Sequence, residues 1–261
     1  TTVGPYVGGI LFFGTAGTLA ANAATAESVK VPYLMLAAAL LTIAVVFAFF
    51  KLPVIAEHTE EQDCKAKGHS LAEAPHLMMG VIGIFCYVGA EVSIGSFLVN
   101  YFGEEHIAGL EEHAAASLIA YYWGGAMVGR FIGSAALQKI APSKALFFNA
   151  MMVIVLLLVT IFTEGDVALY SVLAIGLFNS IMFPTIFSVA IEGLGSLTSK
   201  GSGWLCLAIV GGALVPLVQG VVADTVNIQQ SFFVPVICYA FIAWYGLNVV
   251  RLADSWKKRI G

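Results

Sequence analysis

Eight apolar runs, at about 4–22, 32–51, 76–102, 114–138, 144–163, 167–191, 202–223 and 231–250, constrain this chain more than any other feature. Each is long enough to cross a hydrocarbon core of about 30 Å as an α-helix. Backbone amides inside lipid find no water, so such runs fold as helices; a barrel would need short alternating strands. Hydrophobic residues make up 59% of the chain and charged residues 11%, against about 25% charged in soluble domains. A globular core of this size cannot hide so much apolar surface. The expectation is an all-α membrane protein embedded in a lipid bilayer, with no nucleic-acid partner. The four cysteines show neither metal nor disulfide spacing, so no metal and no cofactor are expected.

The polar residues divide the chain. Residues 52–75 carry Glu57, Glu60, Glu61, Asp63, Lys65, Lys67 and Glu73 and read as a solvated linker between 1–51 and 76–261. Eleven of the twelve Lys and Arg residues, all except Lys30, collect on one side when the loops are numbered alternately. Positive charge is retained on the cytoplasmic side, so that side and the C-terminus are read as cytoplasmic. His106 and His113, in the acidic loop 103–113, then face outward and read as solvated loop residues. The chain opens Thr-Thr-Val-Gly-Pro with no basic n-region, which reads as the middle of a protein rather than a signal peptide.

Of sixteen acidic residues, Glu91 alone lies deep inside an apolar run. A carboxylate there costs about 2.5–3.5 kcal/mol on insertion scales, so it needs a compensating role. Tyr87 and Gly95 lie one turn to either side on the same helical face. A hydroxyl, a carboxylate and a gap on one face suit a small polar ligand, and this face is read as lining a transport path. Asn100 falls half a turn out of phase and reads as a packing or outer-gate residue.

A pattern of Gly-Gly, seven residues and Gly recurs as Gly8-Gly9…Gly17, Gly124-Gly125…Gly133 and Gly211-Gly212…Gly220, three helices apart each time. The second and third copies run in opposite directions, as inverted repeats of secondary transporters do. The spacing makes the first run the second member of a triplet, with at least one helix expected before residue 1.

Tyr87-Val-Gly-Ala-Glu-Val-Ser-Ile-Gly-Ser-Phe-Leu-Val-Asn-Tyr-Phe102, Gly129-Arg-Phe-Ile-Gly133 and Phe178-Asn-Ser-Ile-Met-Phe-Pro-Thr-Ile-Phe-Ser188 resemble the fucose/galactose/glucose–proton symporter family of the major facilitator superfamily, in particular its glucose/galactose transporter branch. The resemblance implies twelve helices in two six-helix halves. Eight transmembrane helices, five to twelve, would be present here: two of the N-terminal bundle in 1–51, the cytoplasmic linker 52–75, and the complete C-terminal six-helix bundle in 76–261. Fucose-transporting members carry Gln at Glu91, Trp at Gly95 and Tyr at Phe183, which implies a different sugar. Their proton-coupling acids lie in helices one and four, outside this chain.

Other residues join the candidate binding set. Asn179 sits at the depth of Glu91, and its amide both donates and accepts, as sugar hydroxyls require. Phe183, one turn on, can stack on a sugar ring. Tyr122 and Trp123 lie about two turns inside their helix, and Gln219 near the outer end of its own. Pro184 is expected to kink the sixth helix beside the site. Arg130 is expected to act in gating, snorkelling to the cytoplasmic surface or pairing with an acid such as Glu192. No pair of catalytic side chains shares one depth, so no enzyme is expected. The expected function is cation-coupled symport of a neutral hexose, with a proton or sodium ion as the coupling cation, by a monomer in the inner membrane. A carrier for another small polar solute is the alternative, and a channel a weaker one.

Overall fold

In the computed structural model the chain divides into two compact units, Thr1–Glu60 and Glu61–Gly261. The structure describes residues 70–260, with isolated helical positions between 34 and 45. The first apolar run, most of the second, the first glycine repeat and most of the 52–75 linker lie outside the described residues.

In the second unit every regular element is helical among the described residues. Ser70 caps a short 3-10 turn at Leu71–Glu73, and Pro75 then opens α1, Pro75–Gly103. Proline suits that first position because its missing N–H is one the helix start leaves unbonded anyway. Next come α2 (Glu112–Leu137) and α3 (Pro142–Phe162), the latter again opened by proline. The expected sixth helix is two pieces, α4 (Gly165–Asn179) and α5 (Met182–Ile191). Pro184 cannot donate to the Ser180 carbonyl, and the helix parts at Ser180–Ile181, as a proline kink there requires. The seventh is also broken: α6 (Thr198–Leu207), a 3-10 turn at Ala208–Val210, then α7 (Gly211–Thr225). After the one-turn α8 (Ile228–Ser231), α9 (Phe233–Ile260) closes the unit.

Five described segments are long and apolar enough to cross a membrane: Pro75–Gly103, Pro142–Phe162, Gly165–Ile191, Gly195–Thr225 and Ile228–Arg259. Helix α2 has the length, at 26 residues, but not the apolarity. Its middle is glycine, alanine, tyrosine and tryptophan rather than branched aliphatics, and its small residues mark the face that packs on α4.

Helix α1 is the pivot, packing on α9, α7, α5 and α2, while α4 packs between α2 and α3. The glycine repeats mark two of these crossings. A Cβ on Gly211 of α7 would sit 2.1 Å from the Phe85 carbonyl oxygen of α1. A Cβ on Gly133 of α2 would sit 2.4 Å from Ile181 just beyond α4. With lipid on the outside, such close approach, to backbone at Gly211 and to a side chain at Gly133, supplies the packing that hydrophobicity cannot.

Candidate functional site

The break between α4 and α5 frees backbone groups halfway across the unit, and polar side chains converge there. The Asn179 carbonyl, at the last residue of α4, lies 2.8 Å from the Tyr87 hydroxyl of α1. The same hydroxyl lies 2.8 Å from Glu91 Oε1. Tyr87 has one proton and two acceptors. It can donate to the Glu91 carboxylate or to the Asn179 carbonyl; both contacts become hydrogen bonds only when Glu91 itself carries a proton. The state of Glu91 is thereby linked to the helix break.

The Asn179 side chain is held at both ends. Its Nδ2 donates to the Tyr122 hydroxyl at 3.0 Å, and its Oδ1 accepts from the Tyr239 hydroxyl at 2.8 Å. Asn179 is 1% exposed, and Tyr122 and Tyr239 are fully buried. The amide therefore ties α4 to α2 and α9, and in this conformation it braces the site rather than offering free valences. Tyr239 was not among the residues expected from sequence. It stands in Val234-Pro-Val-Ile-Cys-Tyr-Ala240, where nothing but its own hydroxyl distinguishes it from filler. That single polar handle in an apolar run was the available signal.

Glu91 itself is half-buried, unlike Asn179. Around it, Phe183 is also half-buried, its ring centroid 6.3 Å from that of Tyr87 and 6.1 Å from that of Phe187. Trp123 stands edge-on to Tyr122 at 5.3 Å. A Cβ on Gly95 would come within 3.7 Å of Trp123 Cζ2, so the gap left by Gly95 receives the indole edge. The structure thus brings together Tyr87, Glu91, Gly95, Tyr122, Trp123, Asn179 and Phe183, with Pro184 exposed at the break. The assembly is a partly open carboxylate on the same helix face as Tyr87 and Gly95, whose neighbours are the Phe183 and Trp123 rings, beside buried hydroxyls and one amide.

Three expected residues lie elsewhere. Gln219 is fully buried and donates to Ser231 Oγ at 3.1 Å, joining α7 to α8. Arg130 is exposed, outside the hydrogen-bonded group though within electrostatic reach of Glu91, and does not pair with Glu192; the partner of Glu192 is Lys257, at 3.1 Å. Both acid and arginine lie on the predicted cytoplasmic side, but side alone does not bring two groups together: α9 extends to Ile260 and delivers Lys257 first. Asn100 is exposed, away from this group. His106, read as a solvated loop residue, is exposed and is also tethered: its Nε2 is 3.1 Å from Gln229 Oε1, and Gln229 donates to the Thr160 and Thr163 carbonyls at 3.1 and 2.7 Å.

A second polar cluster binds the opposite end. The fully buried His76 donates through Nε2 to the Glu192 carbonyl at 3.0 Å. Tyr245 donates to the His76 carbonyl at 3.0 Å, and Trp256 Nε1 to the Gly193 carbonyl at 3.1 Å. Helices α1, α5 and α9 are clasped together there.

No protein-family model matches the chain. Individual relatives do. The chain is 56% identical over 247 residues to a glucose/galactose transporter of Brucella abortus, covering 95% of this chain and 60% of that one. It is 45% identical over 265 residues to a putative glucose/galactose transporter of Helicobacter pylori, covering 98% and 64%. To the L-fucose–proton symporter of Escherichia coli it is 35% identical over 225 residues, covering 82% and 50%. A crystal structure of the E. coli fucose–proton symporter superposes with a TM-score of 0.74 at 27% identity, covering 95% of this chain and 67% of that one. Another, of a major facilitator superfamily transporter in the outward conformation, gives 0.72 at 30% identity, covering 87% and 56%. The chain spans about three fifths of the length of the glucose/galactose transporters it matches.

Proposed function

We propose that this chain, which belongs to the major facilitator superfamily in the branch of the glucose/galactose transporters and L-fucose–proton symporters, is the greater part of a proton-coupled hexose symporter. Residues 76–261 form its C-terminal six-helix bundle, 1–51 contribute two helices of the other bundle, and 52–75 link them on the cytoplasmic side of the inner membrane, where the C-terminus also lies. The protein works as a monomer by alternating access. The observation that carries this reading is the half-buried Glu91 carboxylate held by Tyr87, with Phe183 beside the Tyr87 ring and Trp123 against Gly95 one turn on.

Sugar rings present hydroxyls at their rim and apolar C–H faces above and below. Glu91 accepts from a hydroxyl, a charge-assisted bond worth about 1.5–3 kcal/mol. Phe183 or Trp123 covers a ring face. Asn179, Tyr122 and Tyr239 fix the walls. Tyr87 transmits the charge state of Glu91 to the α4/α5 break, where a change of helix angle would open or close the site to one side. A neutral substrate fits, because Glu91 is the only acid described in this group and the charge of Arg130 already lies within electrostatic reach of it.

The test uses the whole protein in proteoliposomes. An inward proton gradient should drive accumulation of labelled glucose or galactose, and unlabelled sugar inside should accelerate labelled uptake. Uptake without such exchange would point to a channel. Exchange that no hexose competes for would point to a carrier of another small polar solute. Accumulation driven by sodium alone would replace the coupling ion.

A further inference from the structure

Helices α2, α3 and α4 enclose a groove of about 200 Å³ that the transport site does not use. Gly129 and Gly133 of α2 form its floor, Leu177 and Ile181 one wall, and Phe148 of α3 the other. From Gly129 to Ile140 it extends roughly 16 Å along α2 at 1.5 Å per residue, the depth of one leaflet. Phe148 and Ile132 on its flanks are 57% and 60% exposed, so it opens sideways toward lipid.

Two polar residues interrupt this apolar trough. Lys144, exposed, stands at its mouth in the first turn of α3, and Lys139 is exposed in the preceding turn. Asn149 lies one and a half turns deeper, lines the groove and is 9% exposed. Its side chain makes no hydrogen bond among the described residues, whereas Ser180 beside it is satisfied by the Leu177 carbonyl at 3.0 Å. What little of Asn149 is exposed borders the groove, so an amide with no protein partner is open to a ligand that brings polar atoms to that depth. No carboxylate lines the groove.

We infer that this groove is a binding site for one anionic glycerophospholipid. The phosphate lies at Lys144, the glycerol ester groups reach the Asn149 amide, and an acyl chain runs over Gly133 and Gly129 toward the α4/α5 break. The order of the three features along the groove, cation then amide then apolar trough, matches the order of the three parts of such a lipid. A soluble phosphate would use only the first, and a zwitterionic lipid would use all three but with its own ammonium offsetting the attraction of Lys144.

The full-length protein is purified from membranes containing equal phosphatidylglycerol and phosphatidylcholine, and the retained lipids are counted by native mass spectrometry. One lipid should be held preferentially as phosphatidylglycerol, by about fivefold, the effect of one lysine at an anionic group. Lys144→Ala should abolish that preference while the lipid is still held. Asn149→Leu should reduce retention of both lipids, with the preference kept. Equal retention of both lipids by the unmodified protein, or a preference unaltered by Lys144→Ala, would overturn the inference. So would release of the bound lipid by glycerol phosphate alone, since the trough would then contribute nothing. Thermal unfolding of both variants in detergent, unchanged relative to the parent, separates lost lipid binding from lost fold.

Discussion

The polar cluster at mid-depth and the polar clasp at the 192–257 end are built from similar side chains, yet they use them differently. In the clasp, His76, Tyr245 and Trp256 all donate to backbone carbonyls, those of Glu192, His76 and Gly193. Backbone acceptors are fixed, so these bonds fasten helix ends. At mid-depth most of the bonds run between side chains, Tyr87 to Glu91, Asn179 to Tyr122 and Tyr239 to Asn179, with Tyr87 alone also reaching a backbone carbonyl, that of Asn179, and the group borders a half-buried carboxylate. Side-chain partners can be exchanged for a ligand; backbone ones at a helix end rarely are. One cluster holds the bundle together, and the other is arranged to change partners.

The comparison can be broken most readily at the clasp. Trp256→Ala removes a fully buried indole, a change costing about 3–5 kcal/mol in soluble cores. Thermal unfolding in detergent should fall sharply and the yield of folded protein with it, while any protein that remains folded binds sugar with near-parental affinity. Lost affinity without lost stability would make the clasp part of the site.

An intermediate effect is expected at the floor. Tyr239→Phe leaves the Asn179 Oδ1 without its donor, a loss of about 1–3 kcal/mol for a buried acceptor. If Asn179 braces the site, sugar affinity measured by scintillation proximity should weaken by roughly tenfold, with the same number of sites filled at saturating sugar. An effect on stability alone would make Tyr239 a packing residue.

The smallest effect belongs to the exposed Lys257–Glu192 pair, whose side chains are 51% and 59% exposed. Lys257→Ala should shift stability by less than about 1 kcal/mol. A larger loss would mean that the pair, and not the buried ring and hydroxyl bonds, closes that end.

The sequence contained more of the mid-depth cluster than of the clasp, for a physical reason. Glu91, Tyr87 and Gly95 share one helix, and helical phase alone puts them on one face; the hydrogen bond between the first two follows that phase. Pro184 announced the helix break because a missing N–H acts locally. The break at Ala208–Val210 carried no such mark: it lies where α7 meets the Phe85 carbonyl through Gly211, a tertiary cause. The pairing of Glu192 with Lys257 rather than Arg130 was hidden for the same reason, since loop topology assigns a side of the membrane but not a neighbour. Tyr239 and His76 act through partners more than 55 residues away in the chain, at separations of 60 and 116.

The central claim, that ionised Glu91 accepts a sugar hydroxyl, is tested most directly by Glu91→Gln in the full-length protein reconstituted into proteoliposomes, with sugar affinity and gradient-driven accumulation measured together. Glutamine keeps the shape and an acceptor for Tyr87 but not the charge. Affinity should fall by roughly tenfold to a hundredfold, with the protein folded and inserted. Unchanged affinity and accumulation would make Glu91 a packing residue. Unchanged affinity with accumulation lost and exchange of labelled for unlabelled sugar retained would make it the proton carrier, and would contradict the claim equally.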